Sequence, residues 1–210
     1  MIVIFNGPPG TGKDECCLFL EKKGFGHLSF KKLLLQETCK YFGVGIDWFM
    51  SGYDDRSKKE ASSSYLQGFS RREAMIYVSE CIIKPKYGKD FFGKEVSNKI
   101  EKGKDYCFSD GGFKEELEPI INKVGTNDIS LVQLTREGCD FSSDSRRYLN
   151  GTLVNEYIIK KETPIIKSHI LPDNFSIRIY RIHNNGNVKD LHGTIEKICR
   201  QEKENTGKQA

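Results

Sequence analysis

The sequence lacks the marks of several protein classes. No stretch approaches the roughly 20 apolar residues of a membrane span. The apolar start Met1–Phe5 is too short for a signal-peptide core and is cut off by a glycine turn. A cytoplasmic protein with no membrane partner is the expectation. Seven cysteines, an odd number with Cys16 and Cys17 adjacent, do not make a disulfide framework. There is no CxxC and no His/Cys ligand spacing, which argues against structural zinc. The thiols read as reduced core residues. The four histidines, His27, His169, His183 and His192, are scattered and form no ligand pattern. Charge of one sign is also scarce in excess. Lysine plus arginine outnumber aspartate plus glutamate by only 33 to 29, too little for the basic face of a nucleic-acid binder. No nucleic-acid partner is expected, whereas the small surplus suits a pocket that receives several phosphates.

What is present is one domain's worth of chain, 210 residues with no internal repeat or low-complexity stretch. Met1–Phe5 reads as a buried strand, followed by a glycine turn and a helix ending near Gly24. A short strand His27–Phe30 and a helix Lys31–Phe42 come next, with Gly43 as the stop. Ser51–Phe69 is polar and reads as a mobile excursion. Ser70 and Glu73 have the capping-box spacing and open a helix, with Ala74, Tyr77, Val78 and Cys81 on one face, that Pro85 is expected to end. A helix Lys89–Lys102, a strand Asp105–Ser109, a helix Glu115–Val124 and a strand Ile129–Leu134 follow. Thr135–Gly151 is an irregular charged loop, and Val154–Leu171 suggests one or two strands. Ser176–Ile182 is a strand leading through Asn184-Asn-Gly186 to a last helix ending near Cys199, and the tail 200–210 is expected to fray. Strands alternating with helices in this way predict an α/β fold with a parallel sheet covered on both faces, its ligands beyond the carboxyl ends of the strands.

The chemistry-bearing residues fall at those ends. Gly7-Pro8-Pro9-Gly10-Thr11-Gly12-Lys13 satisfies GxxxxGK between a strand and a helix. Its glycines let backbone amides turn around phosphates, the helix offers its positive end, and Lys13 would reach the outer phosphates of ATP. Asp14 stands where Ser or Thr usually supplies a hydroxyl to Mg2+. A carboxylate can serve the metal instead, directly or through water. The pair Arg71-Arg72 at a helix start offers forks that match phosphate oxygens. Asp110-Gly111-Gly112-Phe113 ends a strand with Glu116 a turn further on. These are candidates for the metal (Asp110) and for the acceptor (Asp110, Gly111, Phe113, Glu116), the glycines allowing a ligand near the backbone. Arg136, Asp144, Arg146 and Arg147 lie on a loop that could fold over ATP and supply charge to the transferring group. Asn185, in the Asn184–Gly186 turn, could meet adenine through its backbone.

With these residues in order, the chain resembles the deoxynucleoside monophosphate kinases of tailed bacteriophages. The matches are Gly12-Lys13-Asp14, Arg71-Arg72, Asp110 with Glu116 six residues on, Arg136 after a strand, and the final strand–Asn-x-Gly–helix unit at Asn184–Gly186. Asp110-Gly-Gly-Phe113 stands where some of these kinases carry Asp-x-Arg, and Val154–Leu171 has no counterpart. The resemblance implies a P-loop NTPase fold, a three-layer α/β/α domain over 1–210 with five parallel strands. It also implies a monophosphate-binding region across 31–103 and a lid across 136–151. It implies ATP and Mg2+, and phosphoryl transfer to a small (deoxy)nucleoside monophosphate. Lys13, Arg72, Arg136 and Arg146 would serve the transfer, in the host's cytoplasm if the source is viral. Base preference, the sugar required and homodimer formation stay open.

Other readings share the motif. Gly-Lys-Asp also occurs in animal-type phosphomevalonate kinases. The Gly-Pro-Pro-Gly-Thr-Gly-Lys wording is common in AAA-type ATPases, but no hydrophobic strand here is followed by Asp-Glu or Asp-Asp. A non-catalytic nucleotide-binding module finds its best support in Asp14, against the full set of charged groups just named.

Overall fold

The structure, a computed structural model, describes residues 1–53, 55–142, 146–149, 151–159 and 177–207, with only the backbone at 56, 152, 155, 158 and 159. In chain order the elements are β1 (Ile2–Asn6), α1 (Lys13–Glu21), β2 (Gly26–Leu28), α2 (Phe30–Phe42), α3 (Ile46–Ser51) and α4 (Arg56–Glu60). Next come α5 (Arg71–Tyr77), a π-helical turn (Val78–Ile83), α6 (Lys84–Tyr87), α7 (Phe91–Asn98), β3 (Tyr106–Phe108) and α8 (Lys114–Val124). The chain continues with β4 (Ile129–Thr135), β5 (Thr152–Ile159), β6 (Arg178–Asn184) and α9 (Val188–Asn205).

Among the described residues the strands form one six-stranded sheet, ordered β2-β3-β1-β4-β6-β5, with every neighbouring pair parallel. Sheets of this kind are buried on both faces, so their strands read as continuous apolar runs. All five residues of β1 are buried. Ile2 and Ile4 join one core with Phe108, Leu131, Phe92, Leu117 and Ile120, while Val3 and Phe5 join another with Cys17, Leu20, Val132, Leu191 and Ile195. Alternate side chains of one strand thus feed two cores, α1 and α9 on one face and α2, α7 and α8 on the other. The sheet has one strand more than the five expected. The extra one is β5 at the edge, from the stretch without a counterpart; the rest of that stretch, 160–171, lies outside the described residues, as do His169 and Asp144.

The chain reverses direction in the sheet. From β1 it runs through α1 outward to β2, and from β3 it runs through α8 back across β1 to β4. Right-handed crossovers that travel in opposite directions lie on opposite faces, which is why α1 and α8 are separated by the sheet. The loops leaving β1 and β3 therefore part from one another, and the crevice between them is where open α/β sheets take ligands.

Three local expectations need correction. Pro85 does not end its helix. The π turn Val78–Ile83 has already broken the i→i−4 pattern, so Pro85 sits in the first turn of α6, where its missing N–H costs little. The turn also shifts the buried face, leaving Cys81 exposed and Ile83 buried. Residues 200–205 do not fray; α9 runs to Asn205, and Glu202 is only 1% exposed. The polar stretch after Ser51 is anchored by Leu66, which packs into a small core with Leu35, Cys39 and Phe49 from the helices before it and Ala74 and Met75 from the helix after it. The expected capping box is present, Ser70 and Glu73 each accepting the other's backbone N–H.

Candidate functional site

The loop from Gly7 to Gly12 leaves β1 at the reversal point. Gly10 and Gly12 have φ of 84° and 100°, conformations that L side chains resist. A Cβ on Gly7 would sit 2.4 Å from the Leu134 carbonyl oxygen, so the loop is pressed against β4. Gly12 caps α1 without a side chain, leaving the first-turn amides of that helix to a ligand. Lys13 folds back over the loop, its Nζ donating to the Pro8 carbonyl at 2.7 Å, and is 8% exposed. Thr11 Oγ1 donates to the same carbonyl at 2.9 Å. Backbone amides at a helix N-terminus beside a buried ammonium suit a multiply charged anion. Asp14 is exposed in the first turn of α1.

Across the crevice, β3 delivers Asp110. Its Oδ2 accepts from Ser29 Oγ and from the Lys31 amide, both at 2.7 Å, tying the end of β3 to the start of α2. Its Oδ1 is buried with no partner among the described residues. Glu116 Oε2, in the first turn of α8, is likewise buried and unpartnered. Burial, and after it the Asp110 charge, pushes the Glu116 carboxyl well above the usual range, against the pull of Lys84 and Arg146. Lys84 also lies 5.5 Å from the centroid of the Phe113 ring.

Asn6, the last residue of β1, joins three segments. Its amide donates to the Gly111 and Arg147 carbonyls, each at 3.1 Å, and its oxygen accepts from the Leu149 amide at 2.9 Å. The charged loop after β4 is thus drawn to the crevice. Arg146 lies along Gly112, where a Cβ would come within 2.6 Å of its Cδ, and Gly111 leaves room for Ile4. These glycines admit protein side chains. Cys139 lies over the glycine loop, 3.1 Å from where a Gly10 Cβ would be. Arg136 and Arg147 are exposed.

The arginine pair divides. Arg71 is spent on the fold: its Nε, Nη1 and Nη2 donate to the carbonyls of Phe49, Lys58 and Trp48 at 2.9, 3.2 and 3.4 Å, and it stacks on Trp48. Arg72 is half exposed and pairs with Glu60 at 2.9 Å. It belongs to a cationic group that the sequence reading missed. Lys31 and Lys59 approach the Tyr53 ring to 4.4 and 4.1 Å. Lys59 is held below the usual lysine range by burial, then by Lys31, Arg72 and Arg146, with Glu60 opposing. Cations close enough to depress Lys59 call for an anion. Nothing in the local sequence around 53–59 marks this group, because α2, α4, α5 and the loop after β4 each contribute one part.

Asn185 uses its side chain within the fold. Its Oδ1 accepts from the Glu137 amide at 2.9 Å, joining the turn after β6 to the segment after β4. Among the described residues no group of three or more His, Cys, Asp or Glu could hold a metal ion, and no helix is long and apolar enough to cross a membrane. All seven cysteines are free, with Cys16, Cys17, Cys39 and Cys107 buried. No protein-family profile matches the chain, and no curated protein matches it significantly.

Proposed function

We propose that this chain is an ATP-dependent kinase that phosphorylates a (deoxy)nucleoside monophosphate. The observation that carries the reading is the glycine loop at the sheet's reversal point, with Lys13 folded over it at the head of α1. In this reading the loop is a P-loop. Its amides and Lys13 hold the outer phosphates of ATP, and the lid across 136–151 brings Arg136 and Arg146 toward the transferring group.

The second anion site supports an acceptor that carries its own phosphate. Lys31, Arg72 and Arg146 lie close enough to Lys59 to lower its pKa, and the Lys31 amide is bonded to Asp110, so an acceptor phosphate held among them would lie beside the end of β3. A phosphate acceptor is already ionised, so no general base is required, and catalysis is positioning plus neutralisation of charge. Arg71 takes no part, since its guanidinium is already bonded to three carbonyls. Asp14 and Asp110 fit a magnesium site of the kind built from one or two carboxylates, waters and substrate phosphates. The unpartnered Asp110 Oδ1 is the acceptor such a hydrated ion would use. When bound, the ion would neutralise charge on the phosphates.

A coupled ADP-release assay with ATP, magnesium and each common NMP and dNMP tests the reading. ADP release driven by one or a few monophosphates is the expected result. Release indifferent to every monophosphate would replace the kinase with an ATPase. No release at all would favour a non-catalytic module or another acceptor, such as a phosphomevalonate-type small molecule.

A further inference from the structure

We infer that the end of β6 is a positioning device, in which His183 and Asn184 fix the Arg136 segment in register with the glycine loop. The inference rests on the reading of that loop as the ATP site.

Three consecutive residues reach three different parts of the crevice. His183 is 3% exposed and uses both ring nitrogens. Nε2 lies 2.7 Å from Glu156 Oε1 on β5, and Nδ1 lies 2.8 Å from Thr135 Oγ1 at the end of β4. The carboxylate takes the N–H at Nε2, and in the neutral imidazole Nδ1 then accepts from the Thr135 hydroxyl. Arg181 also donates to Glu156 at 3.3 Å and to Gln133 at 3.2 Å, which fixes the carboxylate that orients the ring. Asn184 is equally buried, and its Nδ2 donates to the Thr11 carbonyl at 2.9 Å. A Cβ on Gly12 would lie 3.1 Å from that nitrogen, so the amide bears directly on the loop backbone. Asn185 then accepts from the Glu137 amide at 2.9 Å.

Arg136 is therefore flanked by two bonds, from the Thr135 hydroxyl to His183 on β6 and from the Glu137 amide to Asn185 just after it, while Asn184 at the end of β6 grips Thr11. β6 is paired on both edges, to β4 and β5, and acts as a fixed bar between loop and lid base. Asn184 Oδ1 is buried with no donor among the described residues. A loop arrangement that brings it a donor gains a bond, so movement of the loop on taking up phosphates is felt at Asn184 first. Small displacements of a positioning group are enough to lower transfer rates strongly.

The test uses variants that separate the two imidazole bonds. His183→Asn keeps an acceptor at the Nδ1 position for Thr135, whereas His183→Gln keeps only the reach toward Glu156. Hydrogen exchange over 135–139 and 7–13 in the free protein is read beside kcat and KM for ATP. We expect His183→Gln to raise exchange over 135–139 and to lower kcat about tenfold, with KM for ATP changed less than about twofold. His183→Asn should recover most of both. Asn184→Ala should instead raise exchange over 7–13 and raise KM for ATP about tenfold. If His183→Gln does not fold, Thr135→Val removes the same bond from the other side. Exchange unchanged over both segments in folded variants would overturn the inference, and so would a His183→Asn variant as impaired as His183→Gln. A wild-type chain that transfers no phosphate would overturn the kinase reading alone, and the exchange comparison would still decide whether β6 couples the two segments.

Discussion

Two buried carboxylate sites lie at opposite ends of the same sheet, and they differ in whether their hydrogen bonds are filled. At the amino ends of β4 and β6, Glu202 receives Ser130, Tyr180 and the Arg178 fork, the last at 2.7 to 3.0 Å. At the carboxyl ends, Asp110 and Glu116 each keep a buried oxygen with no partner among the described residues, and Lys31 and Lys59 both approach the Tyr53 ring. A buried polar group costs free energy unless it is satisfied. The filled site is complete as it stands and holds α9 to the sheet. The unfilled site keeps buried carboxylate oxygens that a bound ligand would complete. In the proposed reading the difference separates stability from function within one chain.

The comparison breaks most visibly at Glu202. Replacing it with Ala takes the carboxylate from the Arg178 guanidinium, which keeps its bond to the Asn127 carbonyl, and should cost about 3–5 kcal/mol in chemical denaturation. The same residue sets an acid limit. Burial raises its pKa, but hydrogen bonds from Arg178, Ser130 and Tyr180 outweigh that and hold it below the usual value. A depressed folded pKa contributes stability above the unfolded pKa and loses it as the pH falls through the folded one. Melting temperature should therefore drop as pH falls below about 4.5, and drop less steeply in Glu202→Gln. Arg71→Lys should cost about 2 kcal/mol, because a lysine cannot keep three carbonyls paired at once.

The unfilled end should respond in the opposite sense. Glu116→Gln should stabilise the free protein by about 1 kcal/mol, since it removes a carboxyl whose ionised form is buried beside Asp110. Glu116 has a raised folded pKa, so the fold favours its protonated form and ionisation works against stability as pH rises from the unfolded value. The gain in the Gln variant should accordingly grow between pH 5 and 8 in thermal melts. Arg72→Ala should change stability by less than about 0.5 kcal/mol, its pair with Glu60 being exposed. It should nonetheless weaken the acceptor about tenfold in KM if the cationic group binds a phosphate.

Legibility in the sequence followed the range of the interactions. The glycine loop was readable because its conformation is set by glycines within seven residues, between an apolar run and a helix. The parallel α/β class followed from the alternation of strands and helices, and the capping box at Ser70 from a spacing of three. Arg71 and Arg72 look alike in sequence, and only the fold of 48–60 sends one inward to carbonyls and the other outward to Glu60. In the Lys31–Tyr53–Lys59 group Lys31 lies 22 positions before Tyr53, so no local pattern announces it. Glu202 sits in a polar stretch that reads as a tail, because its partners Ser130 and Arg178 lie 72 and 24 residues away. His183 was one of four scattered histidines until β4 and β5 placed Thr135 and Glu156 on its two nitrogens.

The central claim is that the unfilled end of the sheet transfers phosphate between nucleotides. Phosphorus NMR of ATP, magnesium and the preferred monophosphate, with the wild-type chain and with Lys13→Met, tests it most directly. The account predicts that the wild type converts the acceptor monophosphate to its diphosphate as ATP becomes ADP, and that Lys13→Met, still folded, does neither. Equal conversion by both proteins would contradict the assignment of Lys13, and free phosphate in place of a new diphosphate would contradict the kinase.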